Sequence, residues 1–441
     1  MSLITPESVW NLQQSLQAKA KANPTLRFYS LYDKMYRRDV MAFAYQRCRA
    51  NGGSAGVDGQ PFEQIESAGL GTWLDELTGK LKSKTYQPQA VRRVYIPKAD
   101  GKQRPLGIPT IKDRVAQMAA VIVLEPLFEA DLPEEQYAYR PNRSAHQAID
   151  AVHGLVNRGY REVVDADLSG YFDTIPHHEL MKSVARRVSD GAMLRLIQQW
   201  LEMAVEEADE RGRKRRTTAN KDSGRGTPQG APISPLLANL YMRRFILGWK
   251  QQGWEKRLEA RIVNYADDFV ILCRGTAQEA RERMQKIMNV LKLTVNEKKT
   301  KICRVPEESF DFLGYTIGRN YSKRTGRSYI GTRPARKRIQ RICEEVSQAT
   351  QRSTLEQATA DMVRGLNRKL RGWSNYFCLG SVSPAYRVVD SHTRYRLRQW
   401  LCNKHKKAGA GTGIYPDEYL YEKLGLLRLS KLTATLPWAK T

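Results

Sequence analysis

The chain has 441 residues, 41% of them hydrophobic, enough apolar material for two or three substructures rather than one ordinary core. Its 73 Lys plus Arg against 46 Asp plus Glu leave a formal charge of +27, which repels itself unless a polyanion is bound, and nucleic acid is the partner this favours. No apolar run reaches the roughly 18 residues of a membrane span, Met1 to Glu7 shows no export signal, and the 6 cysteines stand singly without metal-binding spacing, so the expected location is a reducing cytoplasm with no membrane partner.

Residues 8–50 read as helices: a polar amphipathic stretch through Lys21 is broken at Pro24, and apolar residues at helical spacing resume from Tyr29 to Arg49. Asn51 to Gly59 is dense in breakers and predicts a loop. A helix is expected from Thr72 to Ser83, an extended basic segment from Val91 to Pro97, a turn at Asp100-Gly101, and helices from Arg114 to Phe128 and Ala145 to Asn157. Glu162 to Leu168, short, apolar and interrupted by acids, predicts a strand entering a site. Glu206 to Arg225, charged and punctuated by glycine, predicts a mobile loop, and Pro235 to Tyr241 a buried helix. Arg261 to Asn264 and Phe269 to Cys273 read as the arms of a hairpin, followed by a helix from Gln278 to Leu291 and short strands near Lys301 and Phe312. Beyond Tyr321 the chain turns to Arg-rich helices, Arg333 to Thr350, Leu355 to Tyr376 and Pro384 to His405, and the tail Tyr415 to Trp438 has enough Leu, Tyr and Trp to dock.

The hairpin carries Asp267 and Asp268 at its tip, where an acid pair is ordinarily just a turn. A third acid sharpens the chemistry. On a strand Val163, Asp165 and Asp167 share one face, so Asp167 near the strand end can lie beside the hairpin tip. Carboxylates from two strands form an oxygen cage that suits Mg2+, and two such ions about 3.5–4 Å apart activate a sugar hydroxyl and stabilise departing pyrophosphate. On these residues alone the alternative stays open that Asp165 and Asp167 cap the helix after Gly170 or pair with arginines. Val94 to Thr110 sets cations around a tight turn, as a triphosphate clamp requires. The glycine-rich run Gly226 to Pro235 lets backbone approach a nucleotide or template closely. For Arg114 a phosphate contact and a helix-surface ion pair are both open, whereas His177 and His178 lack further ligands and are expected to make structural hydrogen bonds.

In this order the motifs resemble the reverse transcriptase and maturase proteins encoded by group II introns. The resemblance covers nearly the whole chain: the Gly52 to Gly59 loop, Ile96-Pro97-Lys98, Tyr139-Arg140-Pro141-Asn142-Arg143-Ser144, Asp167 to Asp173, Thr227-Pro228-Gln229-Gly230, Tyr265-Ala266-Asp267-Asp268, Glu297 to Lys301 and Phe312-Leu313-Gly314, then Gly372 to Phe377 and Asp417 to Gly425. It implies an α+β right-hand polymerase, with antiparallel sheet in the fingers and palm and an α-helical thumb. The implied divisions are an N-terminal helical extension over residues 1–80, fingers over 81–160, a palm over 161–320 and a thumb or maturase domain over 321–441. The implied activity is RNA-directed DNA synthesis from deoxynucleoside triphosphates on an RNA template, with a DNA or RNA primer and two Mg2+ ions that Mn2+ can replace. Group II intron RNA is the further implied partner, bound to assist splicing and mobility.

Residue by residue, the resemblance makes Asp167 and Asp267 metal ligands, with Asp268 in support and the Leu168 backbone carbonyl as a further oxygen. Lys98 and Arg104 would hold the triphosphate, Phe172 would exclude a 2′-hydroxyl beneath the incoming sugar, Gln229 would contact the nucleotide or its template pair, and Lys299 would protonate pyrophosphate. In the thumb, Arg333, Arg336, Lys337, Arg338 and Arg341 have no balancing acid until Glu344, so phosphate contact with RNA or a hybrid duplex is expected rather than a merely solvated face. Arg364 to Lys407 extends this basic surface, interleaved with Trp373, Tyr376, Tyr395 and Trp400. Longer members of the family carry a C-terminal endonuclease module with Cys pairs and His residues; none follows the thumb here, so cleavage of target DNA is not expected and mobility would take its primer from a nick or a replication fork. Two other readings keep part of this picture. One is a splicing cofactor with a vestigial polymerase centre, against which the clustered acids argue, and the other is a domesticated polymerase in defence or repair, which would keep the same residues.

Overall fold

In the computed structural model, residues 3–97, 103–208, 213–322 and 325–433 are described. Helices Glu7–Ala22, Tyr32–Met35 and Arg38–Asn51 turn their apolar faces onto Ile111–Glu129, which is buried nearly all round. That helix starts at Thr110, whose hydroxyl accepts from the Asp113 amide, and the buried Asp113 carboxylate accepts from the Tyr86 hydroxyl at 2.5 Å. Residues 1–80 are therefore no detached extension: Val9, Leu16 and Val40 share one hydrophobic core with Val164 and Phe269. The helix expected from Thr72 starts earlier, as Phe62–Lys82, and kinks at Gly69, whose φ of 106° no other residue type adopts readily.

The strands among the described residues are β1 (Val91–Pro97), β2 (Gln103–Ile108), β3 (Glu162–Asp167), β4 (Val205–Ala208), β5 (Lys214–Thr217), β6 (Ala260–Tyr265), β7 (Asp268–Cys273), β8 (Lys301–Arg304), β9 (Phe310–Phe312), β10 (Tyr315–Tyr321) and β11 (Ser328–Pro334). They form three sheets, ordered β2-β1-β4-β5, β6-β7-β3-β8 and β11-β10-β9. The second is antiparallel throughout, while β1 and β4 of the first run parallel. Glu206 to Arg225, expected as a mobile loop, instead contributes the β4–β5 hairpin to the fingers sheet, ending in the short helix Ala219–Ser223. Glu206 sits between Lys214 at 3.1 Å and Arg216 at 2.8 Å, so the charges that looked like a solvated loop pair across two strands.

Helix Ala145–Asn157 turns Ala148, Ile149, Val152 and Val156 onto the palm sheet, although it lies within the residues assigned to the fingers. The expected change at Tyr321 falls inside the β10–β11 hairpin, and helices take over only at Arg336–Ala349. Thr359–Tyr376 and Ser383–Lys404 complete a separate thumb core with Leu366, Leu370, Leu397 and Trp400. Asp390 accepts from the Leu429 and Ser430 amides at 2.8 and 2.9 Å, which docks the tail. Where thumb meets palm, the Tyr376 carbonyl accepts from Tyr315 and His146, and the Tyr376 hydroxyl donates to the Leu313 carbonyl at 2.8 Å. No helix among the described residues is long and apolar enough to cross a membrane.

Candidate active site

Register builds the acidic site. The last residue of β3, Asp167, stands directly opposite the first residue of β7, Asp268, and Tyr265 faces Asp268 from the other side. Between β6 and β7 the turn is two residues long, with Ala266 at a left-handed φ of 59°, as a primed hairpin turn requires. Asn264 braces it, its side-chain amide donating to the Ala266 carbonyl at 2.8 Å. Asp267 thus projects from a fixed tip beside the Asp167–Asp268 pair.

The acids are not equivalent. Asp167 is held from three sides: its backbone carbonyl accepts from the Asn296 amide at 2.8 Å, its carboxylate from Asn296 Nδ2 at 3.1 Å, and Lys299 Nζ lies 3.3 Å away. Neither Asp267 nor Asp268 has a side-chain hydrogen bond or ion pair among the described residues. Asp268 keeps one side exposed but is crowded by protein on the others; this burial first, then the charges of Asp267, Asp167 and Asp165, pushes its carboxyl up to about 6. Asp165, on the same face of β3, is also pushed up to about 6, chiefly by burial and against the pull of Lys301. The Leu168 carbonyl is bypassed by the neighbouring backbone bonds, which run from Asn296 to Asp167 and from Ser169 to Thr294.

A cleft of about 1430 Å3 opens between fingers and palm, lined by Arg104, Phe172, Gln229, Gly230 and Tyr139 among others. Gln229 ties two elements together: its Oε1 accepts from Arg104 Nε at 3.1 Å and its Nε2 donates to Asp173 Oδ2 at 2.8 Å. Its backbone carbonyl accepts from the Gly107 amide at 2.7 Å, so β2 docks on this loop. Gly230 makes that approach possible, since a Cβ there would stand 2.7 Å from the Gly107 oxygen. Phe172 is only 7% exposed, edge-on to Tyr171, and its carbonyl accepts from the Thr227 amide at 2.7 Å. The structure thus gathers Asp167, Asp267, Asp268 and Lys299 at the β3–β7 tip and Arg104, Phe172 and Gln229 on the wall of the cleft, and Tyr139, which also lines the cleft, feels the charges of both Asp267 and Arg104; Lys98 lies outside the described residues.

Other expectations change. Arg114 makes no ion pair with a carboxylate among the described residues: buried, it donates to the carbonyls of Pro109, Gly52 and Ser54 and so clamps the glycine loop. His177 is structural, hydrogen-bonded to the Gly226 carbonyl at 2.7 Å. Arg333 lies on β11 rather than on a helix, and one nitrogen of its guanidinium donates to the Arg319 carbonyl at 3.1 Å and to Asn320. Arg336, Lys337, Arg338 and Arg341 are exposed on their helix. Of the further thumb cations, Arg394 and Arg398 pair with Asp417, Arg396 binds Thr350, and Lys404 binds the Leu355 carbonyl, while Trp400 is fully buried and Tyr395 exposed. Sequence reasoning missed the roles of Asn264, Asn296 and Asp173. Asp173 closes the Asp167 to Asp173 motif without having been given a role, Asn264 lies one residue before the Tyr265 to Asp268 box, and Asn296 one residue before the Glu297 to Lys301 box.

The donor set fits a hard divalent cation: all of it is carboxylate oxygen, and the pressure on Asp268 shows the cluster short of positive charge. Among the described residues no three His, Cys, Asp or Glu stand close enough to form a complete cage, which matches the habit of Mg2+ of taking one or two protein carboxylates and completing its shell elsewhere.

Residues 96–317 match the reverse transcriptase (RNA-dependent DNA polymerase) family, and residues 339–414 match the group II intron, maturase-specific domain. Protein YkfC of Escherichia coli (strain K12) is 33% identical over 364 residues, 74% of this chain and 92% of that protein. The group II intron-encoded protein LtrA of Lactococcus lactis subsp. cremoris is 27% identical over 470 residues, 86% of this chain and 75% of its own. A solved telomerase from Candida albicans is a remote likeness, with a TM-score of 0.41 and 12% identity across 83% of this chain and 71% of that one. The chain belongs to the reverse transcriptases, RNA-dependent DNA polymerases, of the kind that carries a group II intron maturase-specific domain.

Proposed function

We propose that this enzyme copies group II intron RNA into DNA by two-metal nucleotidyl transfer, and that its thumb holds the same RNA to assist splicing and mobility. One observation carries the catalytic part: Asp167 and Asp268 face each other across β3 and β7 beside Asp267, in a chain whose residues 96–317 match the reverse transcriptases. Mg2+, or Mn2+ in its place, would be held by Asp167 and Asp267 with Asp268 behind them, and supplies Lewis-acid activation of the primer hydroxyl and charge neutralisation at the triphosphate. The chain's own groups do the rest. Lys299 and Asn296 fix Asp167, and Lys299 would give a proton to pyrophosphate. Arg104, its guanidinium oriented by Gln229, would hold the triphosphate, and the buried Phe172 ring would exclude a 2′-hydroxyl. Deoxynucleoside triphosphates, an RNA template and a DNA or RNA primer are the substrates this implies.

Primer extension on an RNA template with Mg2+ tests the reading, comparing wild type with Asp267→Ala. Wild type should extend with deoxynucleotides, and the variant should lose at least about a thousandfold, the scale of a lost transition-state charge partner. No metal-dependent synthesis by wild type sinks it. The splicing role fails separately if the protein binds its intron RNA no better than unrelated RNA at physiological salt.

A further inference from the structure

At the base of the thumb, helices Arg336–Ala349 and Thr359–Tyr376 and the turn at Leu313 enclose a second cavity of about 440 Å3, the size of a small-ligand pocket. Its lining mixes two chemistries. Trp373, Tyr376 and Phe377 supply aromatic surface, and Arg368 and Lys369 from the same helix, with Arg338 from the facing one, bring positive charge. Arg341 also lines it but is balanced by Glu345 at 3.2 Å, whereas Arg338, Arg368 and Lys369 have no acidic partner among the described residues.

Gly372, also in the lining, points to an occupant. It lies inside Thr359–Tyr376 with ordinary helical backbone, where glycine is a poor helix former, and a Cβ there would meet nothing within 4 Å. Neither a left-handed φ nor a close neighbour within the protein calls for glycine; what its missing side chain leaves is open space beside the Trp373 ring. Trp373 packs on Phe377 at 5.0 Å and Tyr386 at 5.8 Å, but its indole N–H has no acceptor, so no hydrogen bond locks the ring.

We propose that this cavity takes one unpaired nucleotide of a bound RNA, its base against Trp373 over Gly372 and its phosphate among Arg338, Arg368 and Lys369. A duplex is too bulky for the space, whereas a nucleoside monophosphate unit extruded from a helix fits it. Stacking on an indole tolerates any base, so the pocket reads the presence of an unpaired nucleotide rather than its identity. The inference rests on the reading that the thumb holds RNA.

The test uses the full chain and two RNA hairpins, one fully paired and one carrying a single bulged nucleotide, with AMP and UMP as separate probes. Wild type should bind the bulged hairpin roughly tenfold more tightly, the value of one base–aromatic stack. Gly372→Leu fills the cavity and replaces a poor helix former by a good one, so it should melt no lower than wild type while binding both hairpins equally. A preference that survives Gly372→Leu, or equal binding by wild type, overturns the proposal. Saturable binding of AMP and UMP without any bulge preference overturns the RNA assignment in favour of free nucleotide. DNA synthesis by wild type on a plain primer–template, measured alongside, reports on the polymerase reading independently.

Discussion

The crowding of acids at the hairpin tip makes cation binding pH-dependent in a calculable way. Asp268 titrates at about 6 in the cation-free protein, because burial and then Asp267, Asp167 and Asp165 resist its ionisation. Asp268 stands behind the two ligands and its ionised charge helps to hold the cation; where that charge is required, the apparent affinity is divided by one plus the ratio of protonated to ionised Asp268. With a pKa of about 6 that divisor is about 11 at pH 5 and about 1.1 at pH 7, so Mg2+ should bind roughly tenfold more weakly at pH 5 and release close to one proton on binding there. Isothermal titration in two buffers of different ionisation heat measures both quantities. Asp268→Asn should flatten the dependence between pH 5 and 7. Affinity independent of pH in wild type, or binding at pH 5 without proton release, refutes the account. The fold responds with the opposite sign. Asp165 and Asp268 are both raised to about 6 on folding, so their stabilising contribution is complete below about pH 4, the unfolded value, and is lost as pH rises through about 6. Thermal melts without divalent cation should therefore lose part of their pH dependence over pH 4–6 in Asp165→Asn.

Phe172→Ala should raise incorporation of ribonucleotides relative to deoxynucleotides in primer extension; an unchanged ratio removes the sugar gate from Phe172. Gly230→Ala places a Cβ 2.7 Å from the Gly107 oxygen at a φ of 107°, a strain on the order of 1–3 kcal/mol that lifts β2 off the loop and should raise KM for deoxynucleotides. Arg187, 1% exposed, donates to the Ala20, Asn23 and Leu26 carbonyls and pairs with Asp131 at 2.7 Å, so Arg187→Met should cost roughly 3–5 kcal/mol in chemical denaturation, and a loss under about 1 kcal/mol contradicts the buried-pair argument.

The acidic centre was legible because two periodicities meet there. Alternation along Val163, Asp165 and Asp167 set the face, and a short gap, Tyr265 to Asp268, between apolar arms set the hairpin, so neither needed tertiary knowledge. What stayed hidden depended on partners far along the chain. Glu206 is the local exception: Lys214 and Arg216 reach it across the β4–β5 pair, but glycine and charge spelled loop, and it is β1, over a hundred residues earlier, that makes β4 part of a sheet. Arg333 read as helical because the cations after it are, yet β10 and β11 pair through Thr316 and Arg333 and delay the helix to Arg336. Arg114 was undecidable, since its partners are backbone carbonyls of a loop some sixty residues earlier.

The same distinction bears on what the acids are for. Elsewhere in this cationic chain, buried or half-buried acids are satisfied either by arginine, as Asp131 is by Arg187 and Glu129 by Arg140, each at 2.7 Å, and Asp417 by Arg394 and Arg398, or by hydrogen-bond donors, as Asp113 is by the Tyr86 hydroxyl and Asp390 by two amides. A fold with so many guanidinium groups had ample means of neutralising three more carboxylates. At the β3–β7 site it does not. Asp167 is steadied by the neutral Asn296 and one exposed lysine, and Asp267 and Asp268 meet no cation of the described chain. Leaving Asp268 at about 6 costs stability at neutral pH, a cost a structural acid need not carry. It is the arrangement expected of ligands kept free for an exchangeable cation, and it weighs against a polymerase centre that has decayed into a binding surface, where a single arginine substitution nearby would relieve the repulsion.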